Sequence, residues 1–335
     1  MRALLSYEVG GPETLKVAEM PDPIAQAGQI VVAIKACSIN YPDVLIIQDL
    51  YQFKPPRPFA PGGEAAGVVE AVGEGVSNFA VGDRVIALCG NGGLAEKVAV
   101  SALSAAKMPD DMSFEDGASL LMTYGTSIHA YKDRARIEAG NAVLVLGGAG
   151  GIGISAIELA KAYGCKVVAG VSSEEKAAIA KDAGADECVI YPYQPLDKDA
   201  SKALAGAFKA AAKAVGADGG YDIIYDTVGG DYSQPAIRSI GWEGRFLVVG
   251  FPAGIAKLPL NLTLLKSCDV CGVFMGAFAA RDPKANQANI AELFALHAEG
   301  KIKPRISATF PLESGGEAIR LLMDRKATGK VVVTM

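Results

Sequence analysis

Between residues 144 and 153 the chain reads LVLGGAGGIG, an apolar strand text that stops at a stretch with almost no side chains. A strand normally passes to a helix through a polar turn, so this loop makes room for something. Gly148-Ala-Gly150-Gly-Ile-Gly153 fits G-x-G-x-x-G, and the setting gives the pattern its meaning. ISAIELAKAYG follows with helical periodicity, and CKVVAGV then reads as a second strand, completing a short βαβ unit. In such a unit Gly148 permits the tight turn, Gly150 lets the backbone approach a pyrophosphate, and Gly153 lets the helix pack close to the strand. Gly151 and Ile152 open the helix, where free amides and the positive dipole end attract an anion. The expected guest is a dinucleotide.

Which dinucleotide depends on the end of the second strand. An NAD site usually carries an Asp or Glu there to hold the ribose hydroxyls. This chain reads Gly170-Val171-Ser172-Ser173, with no acid. Glu174 and Glu175 fall in the first turn of a helix that Ser172 or Ser173 caps, where acids complement the dipole. Ser172, Ser173 and Lys176 suit a 2′-phosphate, which a carboxylate would repel. NADPH is therefore the expected cofactor.

From about 142 to 251 strands alternate with helices. AVLVLGG, CKVVAGV, ECVIY, YDIIYDTVG and GRFLVVGF are short and apolar on both faces, which implies a parallel sheet covered on both sides. The first 120 or so residues hold short strands punctuated by Gly, Pro and Asp, suited to a small antiparallel barrel. After Phe251 come a helix around NLTLLKS, a strand at CDVCGVFM, a long helix, and the closing strand KVVVTM. Domain boundaries are expected near Leu121 and Leu258.

Composition narrows the partners. The 335 residues carry 37 acidic and 32 basic side chains, a net charge of -5, with no Lys/Arg cluster. That argues against nucleic acid and against an anionic membrane surface. The N-terminal text meets Glu8 too early for a secretory apolar core, so a cytoplasmic protein is the default. Six cysteines sit scattered in apolar text, where a reduced thiol is a small hydrophobe. The two histidines, His129 and His297, fall on amphipathic helical text as satisfied face residues.

Several blocks in order carry a resemblance along the whole chain: SINYPD, DLYQFKPP, PGGEAAGVVEAVG, VGDRV, GGLAEK, TYGT, GGAGGIG, VGFPAG and KATGKVVV. The chain resembles the zinc-free quinone oxidoreductases, the zeta-crystallin-like branch of the medium-chain dehydrogenase/reductase superfamily. The resemblance implies an α/β protein in two parts. A GroES-like, partly open β-barrel catalytic domain takes 1–121 and 258–335, and a Rossmann domain with a doubly wound parallel sheet takes 122–257 and binds NADP(H).

The departures from zinc-dependent relatives are as informative. Asn40 stands where they place a cysteine, Gly63 where they place the histidine of G-H-E, and GASLLMTYG offers no third ligand. The four-cysteine lobe of structural zinc is absent too. A tetrahedral zinc site needs three or four such ligands, so no metal is expected. Without a Lewis acid, the suitable hydride acceptors delocalise the charge themselves: quinones, enones and α,β-unsaturated acyl groups.

The resemblance also implies site residues. Asn40, Asp43 and Tyr51 line the cleft, Asn40 and Tyr51 as polar groups towards the acceptor carbonyl and Asp43 as a holder of the loop or, alternatively, a direct proton-transfer group. An Asx-turn before Pro42 would equally account for Asn40, and an ordinary loop aromatic for Tyr51. Tyr191 matches a position near the 2′-phosphate or is a strand-end aromatic. Lys326 matches a basic residue on the same phosphate or is a helix-terminal lysine. Val228 and Phe251 sit at strand carboxyl ends, where ligands gather; Thr126, Phe274 and Met275 are candidates for the nicotinamide and substrate walls. The function implied is an NADPH-dependent reductase of quinones or other conjugated carbonyls. The alternatives are an enoyl-thioester (2-enoyl-CoA) reductase and an NADPH-binding structural or sensing protein. A homodimer pairing through CDVCGVFM is also implied.

Overall fold

In a computed structural model that describes residues 1–335, the chain opens with a hairpin of β1 (Arg2–Leu5) and β2 (Lys16–Glu19). Then come β3 (Gln29–Ile39), the short helix α1 (Tyr41–Ile46), β4 (Glu64–Val72), β5 (Arg84–Leu88), β6 (Lys97–Ser101), β7 (Ala105–Lys107) and α2 (Phe114–Gly117). The second part holds α3 (Thr123–Ile128), β8 (Ala142–Leu146), α4 (Gly151–Ala162), β9 (Lys166–Val171), α5 (Glu174–Asp182), β10 (Glu187–Ile190) and α6 (Lys198–Ala214). It continues through β11 (Tyr221–Asp226), α7 (Ser233–Ile237), β12 (Ile240–Val248), α8 (Asn261–Lys266), β13 (Asp269–Gly272), α9 (Met275–Arg281) and α10 (Pro283–Ala298). The chain closes with β14 (Ile306–Pro311), α11 (Gly315–Met323) and β15 (Lys330–Thr334). No helix is long and apolar enough to cross a membrane.

The chain divides into two units, 1–122 with 304–335, and 123–303. In the first, strands run in the order β14-β15-β3-β4-β5-β7, with β6 pairing β3. All pairings are antiparallel except β14 with β15. Eight of the eleven residues of β3 are buried, and Ile30, Val32, Ile34, Cys37 and Ile39 share a core with Val69, Val85, Leu94 and Val331. The terminal strand KVVVT lies inside this sheet, and its first four residues are buried, Lys330 included.

The second unit is a parallel sheet in the order β10-β9-β8-β11-β12-β13. All five residues of AVLVL in β8 are buried, as a strand covered on both faces requires. Strand order reverses between β8 and β11, which opens a crevice at their carboxyl ends.

The boundary near Leu121 matches the division after Met122, but the one near Leu258 is corrected. β13 pairs with β12 in parallel register, Arg245 beside Asp269 through Val248 beside Gly272, so 258–303 belongs to the parallel-sheet unit. α10 is bound there as well, Glu292 taking Lys132 and Tyr163, and Asn289 donating to Asp133. CDVCGVFM forms a strand only over Asp269–Gly272, and α9 starts at Met275.

Candidate active site

In the parallel-sheet unit, β8 ends at Leu146 and the loop turns through Gly147, whose φ of +78° suits glycine. The tight turn is therefore made by Gly147, a correction of the part expected of Gly148. A Cβ on Gly148 would lie 2.8 Å from the Cβ of Ala169, so this glycine instead lets β9 come close. Gly147 donates its amide to the carbonyl of Gly170 at 2.9 Å, which ties the loop to β9. Gly150 precedes α4 in extended conformation, and no side chain caps the helix. The amides of Gly151, Ile152 and Gly153 have no acceptor in the helix, whose first bond runs from Ile154 to Gly150. At Gly150 only the Gly147 carbonyl, at 3.7 Å, comes near a built Cβ, so backbone and open space meet there.

At the end of β9 the three expected side chains come together. Ser173 caps α5 by accepting from the amide of Lys176 at 3.3 Å, and the Lys176 ammonium donates to the Ser172 hydroxyl at 3.2 Å. Both glutamates of the first turn are exposed. Tyr191 follows β10 and is 8% exposed, its ring 4.5 Å from that of Tyr232 and against Gly170. Val228 follows β11 in a turn held by Asp226, whose buried carboxylate accepts the amides of Val228 and Gly229 at 2.8 Å each. Burial raises the Asp226 pKa, and the bonds from Ser233, Gly229 and Val228 oppose it. Phe251 and Phe274 follow β12 and β13 and are 48% and 68% exposed. Met275 is buried, with its methyl 3.7 Å from a Cβ built on Gly125, one residue from Thr126 on α3. Apart from Thr126, the cofactor candidates of this unit all follow the carboxyl ends of parallel strands.

In the barrel unit, Asn40 precedes α1 and the carboxylate of Asp43 closes the turn. Asp43 accepts the amide of Asn40 at 2.7 Å and that of Gly62 at 2.9 Å, joining α1 to the loop before β4. Burial pushes the Asp43 pKa up to about 6, against the lowering effect of those amides and of Lys330. The half-buried Tyr51 has its pKa raised by burial and then by the Asp43 charge. Lys326 belongs to this unit too, its side chain 70% exposed and 3.3 Å from Asp324.

Sequence reasoning missed the centre of this cluster. The Lys330 ammonium, from the first residue of β15, donates to Asn40 Oδ1 at 2.7 Å and lies 3.4 Å from Glu64 Oε2. The two side chains are 4% and 0% exposed. Glu64 also accepts from the Ser38 hydroxyl at 2.9 Å and the Met122 amide at 2.7 Å. A buried ion pair is retained only with such full hydrogen bonding. Asn40 is also the N-cap residue of α1, where Asp43 closes a capping box, so its place before Pro42 has a local structural account as well. A signal was present: a lysine heading the apolar run Val331–Val333 must find an anion if that strand is interior.

No group of three His, Cys, Asp or Glu side chains is placed to hold a metal ion. His129 bonds Asp133 at 2.8 Å and stacks on Phe278 at 4.0 Å. All six cysteines are free thiols.

Residues 26–110 match the family model described as alcohol dehydrogenase GroES-like domain, and residues 151–293 match the one described as zinc-binding dehydrogenase. The quinone oxidoreductase-like protein 2 homolog of Nematostella vectensis is 34% identical over 99% of this chain and 88% of its own length. A mycobacterial protein solved with NADPH superposes with a TM-score of 0.91 at 29% identity, with 100% of both chains covered. Escherichia coli quinone oxidoreductase, also solved with NADPH, gives 0.88 at 27% identity and the same coverage. On its sequence blocks, its two units and these relatives, the chain belongs to the quinone oxidoreductase-like branch of the medium-chain dehydrogenase/reductase superfamily.

Proposed function

We propose that the protein is an NADPH-dependent reductase that passes hydride to quinones or other conjugated carbonyl compounds without a catalytic metal. The carrying observation is the Lys330 ammonium on Asn40 and Glu64. Asn40 stands at the position of a zinc-ligating cysteine in the metal-dependent relatives. Its oxygen is already taken by a fixed cation, and Gly63 has no side chain to offer a second ligand.

The residues at the carboxyl ends of β8 and β9 fit the cofactor. Gly150 leaves room for a pyrophosphate, and the amides of Gly151, Ile152 and Gly153 can donate to it. Ser172 and Lys176 offer a hydroxyl and an ammonium for a 2′-phosphate, and no carboxylate stands at the strand end to bind ribose hydroxyls. When bound, NADPH supplies the hydride, and a conjugated acceptor spreads the charge it receives. Asn40 and Tyr51 then serve as polar groups that orient the acceptor, while Asp43 holds the loop that carries them. A reduced quinone takes its protons from solvent, so the site needs no dedicated acid.

The assembly belongs to the same proposal. β13 is an edge strand with Val270 41% exposed, beside a helix, α8, whose Leu264 is 79% exposed. Pairing of two such edges across a two-fold axis would cover both. Six free thiols fit a reducing, cytoplasmic location.

The deciding measurement is NADPH oxidation by metal-analysed protein with 1,4-benzoquinone-type acceptors, enones and an enoyl-CoA panel. Turnover with quinones that survives chelators is expected. Oxidation only with the thioesters would replace the substrate class, and tight NADPH binding with no turnover would replace the enzyme by a binding protein. Stoichiometric zinc needed for activity would overturn the metal-free part.

A further inference from the structure

Asn40 is held unevenly. Its oxygen receives a 2.7 Å bond from Lys330, whereas its NH2 group has only long contacts, 3.3 Å to the Ser38 hydroxyl and 3.4 Å to both the Ser38 carbonyl and Glu64. An ammonium has three donors and no acceptor, so the amide cannot turn its NH2 towards Lys330 without setting donor against donor in a buried place. The bond to the cation also draws charge towards the amide oxygen, which strengthens the N–H as a donor. Glu64 supplies the counter-charge that lets the Lys330 side chain sit buried, and the Ser38 hydroxyl and Met122 amide fix Glu64 in turn.

We propose that Lys330 is a positioning residue that locks Asn40 with its carbonyl on the ammonium and its NH2 on the opposite branch of the amide, as a donor to the hydride acceptor. The proposal rests on the reductase function above, in which Asn40 meets the acceptor. Three weak contacts at 3.3 to 3.4 Å leave that NH2 able to exchange one of them for a shorter bond to an oxygen that gains charge. Lys330 thus acts through Asn40 rather than on the substrate.

The test compares wild type, Lys330→Met, Asn40→Ala and the double variant in full-length protein with NADPH and 1,4-benzoquinone. Lys330→Met is expected to lower kcat by about tenfold to a hundredfold, less than the roughly hundredfold to thousandfold for outright removal of one aimed donor because Asn40 itself remains, with the KM for NADPH nearly unchanged. In the Asn40→Ala background the same substitution is expected to cost almost nothing further. Lys330→Gln keeps a neutral donor to Asn40 and is expected to retain part of kcat; it also stands in if the Met variant does not fold. Equal fold-losses in both backgrounds, or a change confined to the NADPH KM, would overturn the proposal. A second readout needs no turnover. In [15N]Asn-labelled protein the Asn40 side-chain NH2 pair, identified by its loss in Asn40→Ala, is expected to shift or broaden in folded Lys330→Met. An unmoved pair rejects the positioning role, whereas inactive wild type with every quinone rejects the functional assignment instead.

Discussion

The carbonyl oxygen of Gly147 occupies the space that a side chain on Gly153 would need, because α4 crosses the loop backbone there with no gap. Gly150, three residues earlier, meets the same carbonyl only at 3.7 Å. Two glycines of one motif thus stand in different surroundings, one pressed against backbone and one beside open space.

Alanine separates them. Gly153→Ala is expected to destabilise the protein by about 1–3 kcal/mol, the usual range for overpacking, seen as a lower urea midpoint. Gly150→Ala is expected to cost less than about 1 kcal/mol of stability. Its effect should instead be a weaker NADPH affinity, about tenfold by fluorescence titration, as the methyl enters the pyrophosphate's space.

Lys176→Met tests the coenzyme choice. Loss of one charge-assisted bond to the 2′-phosphate is expected to weaken NADPH binding about tenfold to a hundredfold. NADH binding should stay near its wild-type value, since that coenzyme lacks the phosphate. Equal losses for both would remove Lys176 from the phosphate site.

The loop-holding role proposed for Asp43 can be told from a proton-transfer role. Asp43→Ala leaves the amides of Asn40 and Gly62 without acceptors, at an expected cost of about 2–4 kcal/mol in denaturant unfolding. Asp43→Asn keeps one acceptor oxygen and should cost less. The turnover left in Asp43→Asn is expected to keep the wild-type pH profile; loss of a limb near pH 6 would instead make Asp43 a proton donor.

Glu158 on α4 accepts from Tyr124 at 2.7 Å and from the Lys303 amide at 2.9 Å, and burial pushes its pKa from the ordinary 4.5 up to about 6. Between those values the folded chain binds the proton more tightly than the unfolded chain does. This carboxyl's contribution to stability is therefore full below its ordinary value and lost as pH rises through about 6. From pH 4.5 to 6.5 the wild type should lose on the order of 1 kcal/mol more than Glu158→Gln in paired urea titrations, after allowance for partial solvent exposure.

Val270→Lys places a charge on the exposed edge of β13. If that edge pairs two copies, light scattering is expected to give the wild-type mass as twice that of the variant, with little change in unfolding midpoint below the dissociation range. A monomeric wild type removes the dimer.

Much of this architecture is legible in the text. Short apolar runs near Gly mark β8, β9 and the inner parts of β11 and β12, because a strand covered on both faces leaves little place for polar residues. The unit to which 258–303 belongs is not legible, since the amphipathic text of α10 states that one face is buried but not against what. Glu64 and Lys330 were hidden for a related reason. They lie 266 positions apart, and only the pairing of β15 with β3 brings them together. The glycine loop was found because its residues are contiguous; the charged cluster is assembled from both ends of the chain.

β15 lies between β3 and β14, so the middle seam of the barrel is made from residues 330–334. During synthesis the amino-terminal strands must wait for it until all of 123–303 has left the ribosome. The flank of β3 stays open to wrong pairing meanwhile, while the parallel-sheet unit already has every strand it needs. The order of manufacture makes the barrel, rather than the parallel sheet, the part of the newborn chain with most need of a chaperone.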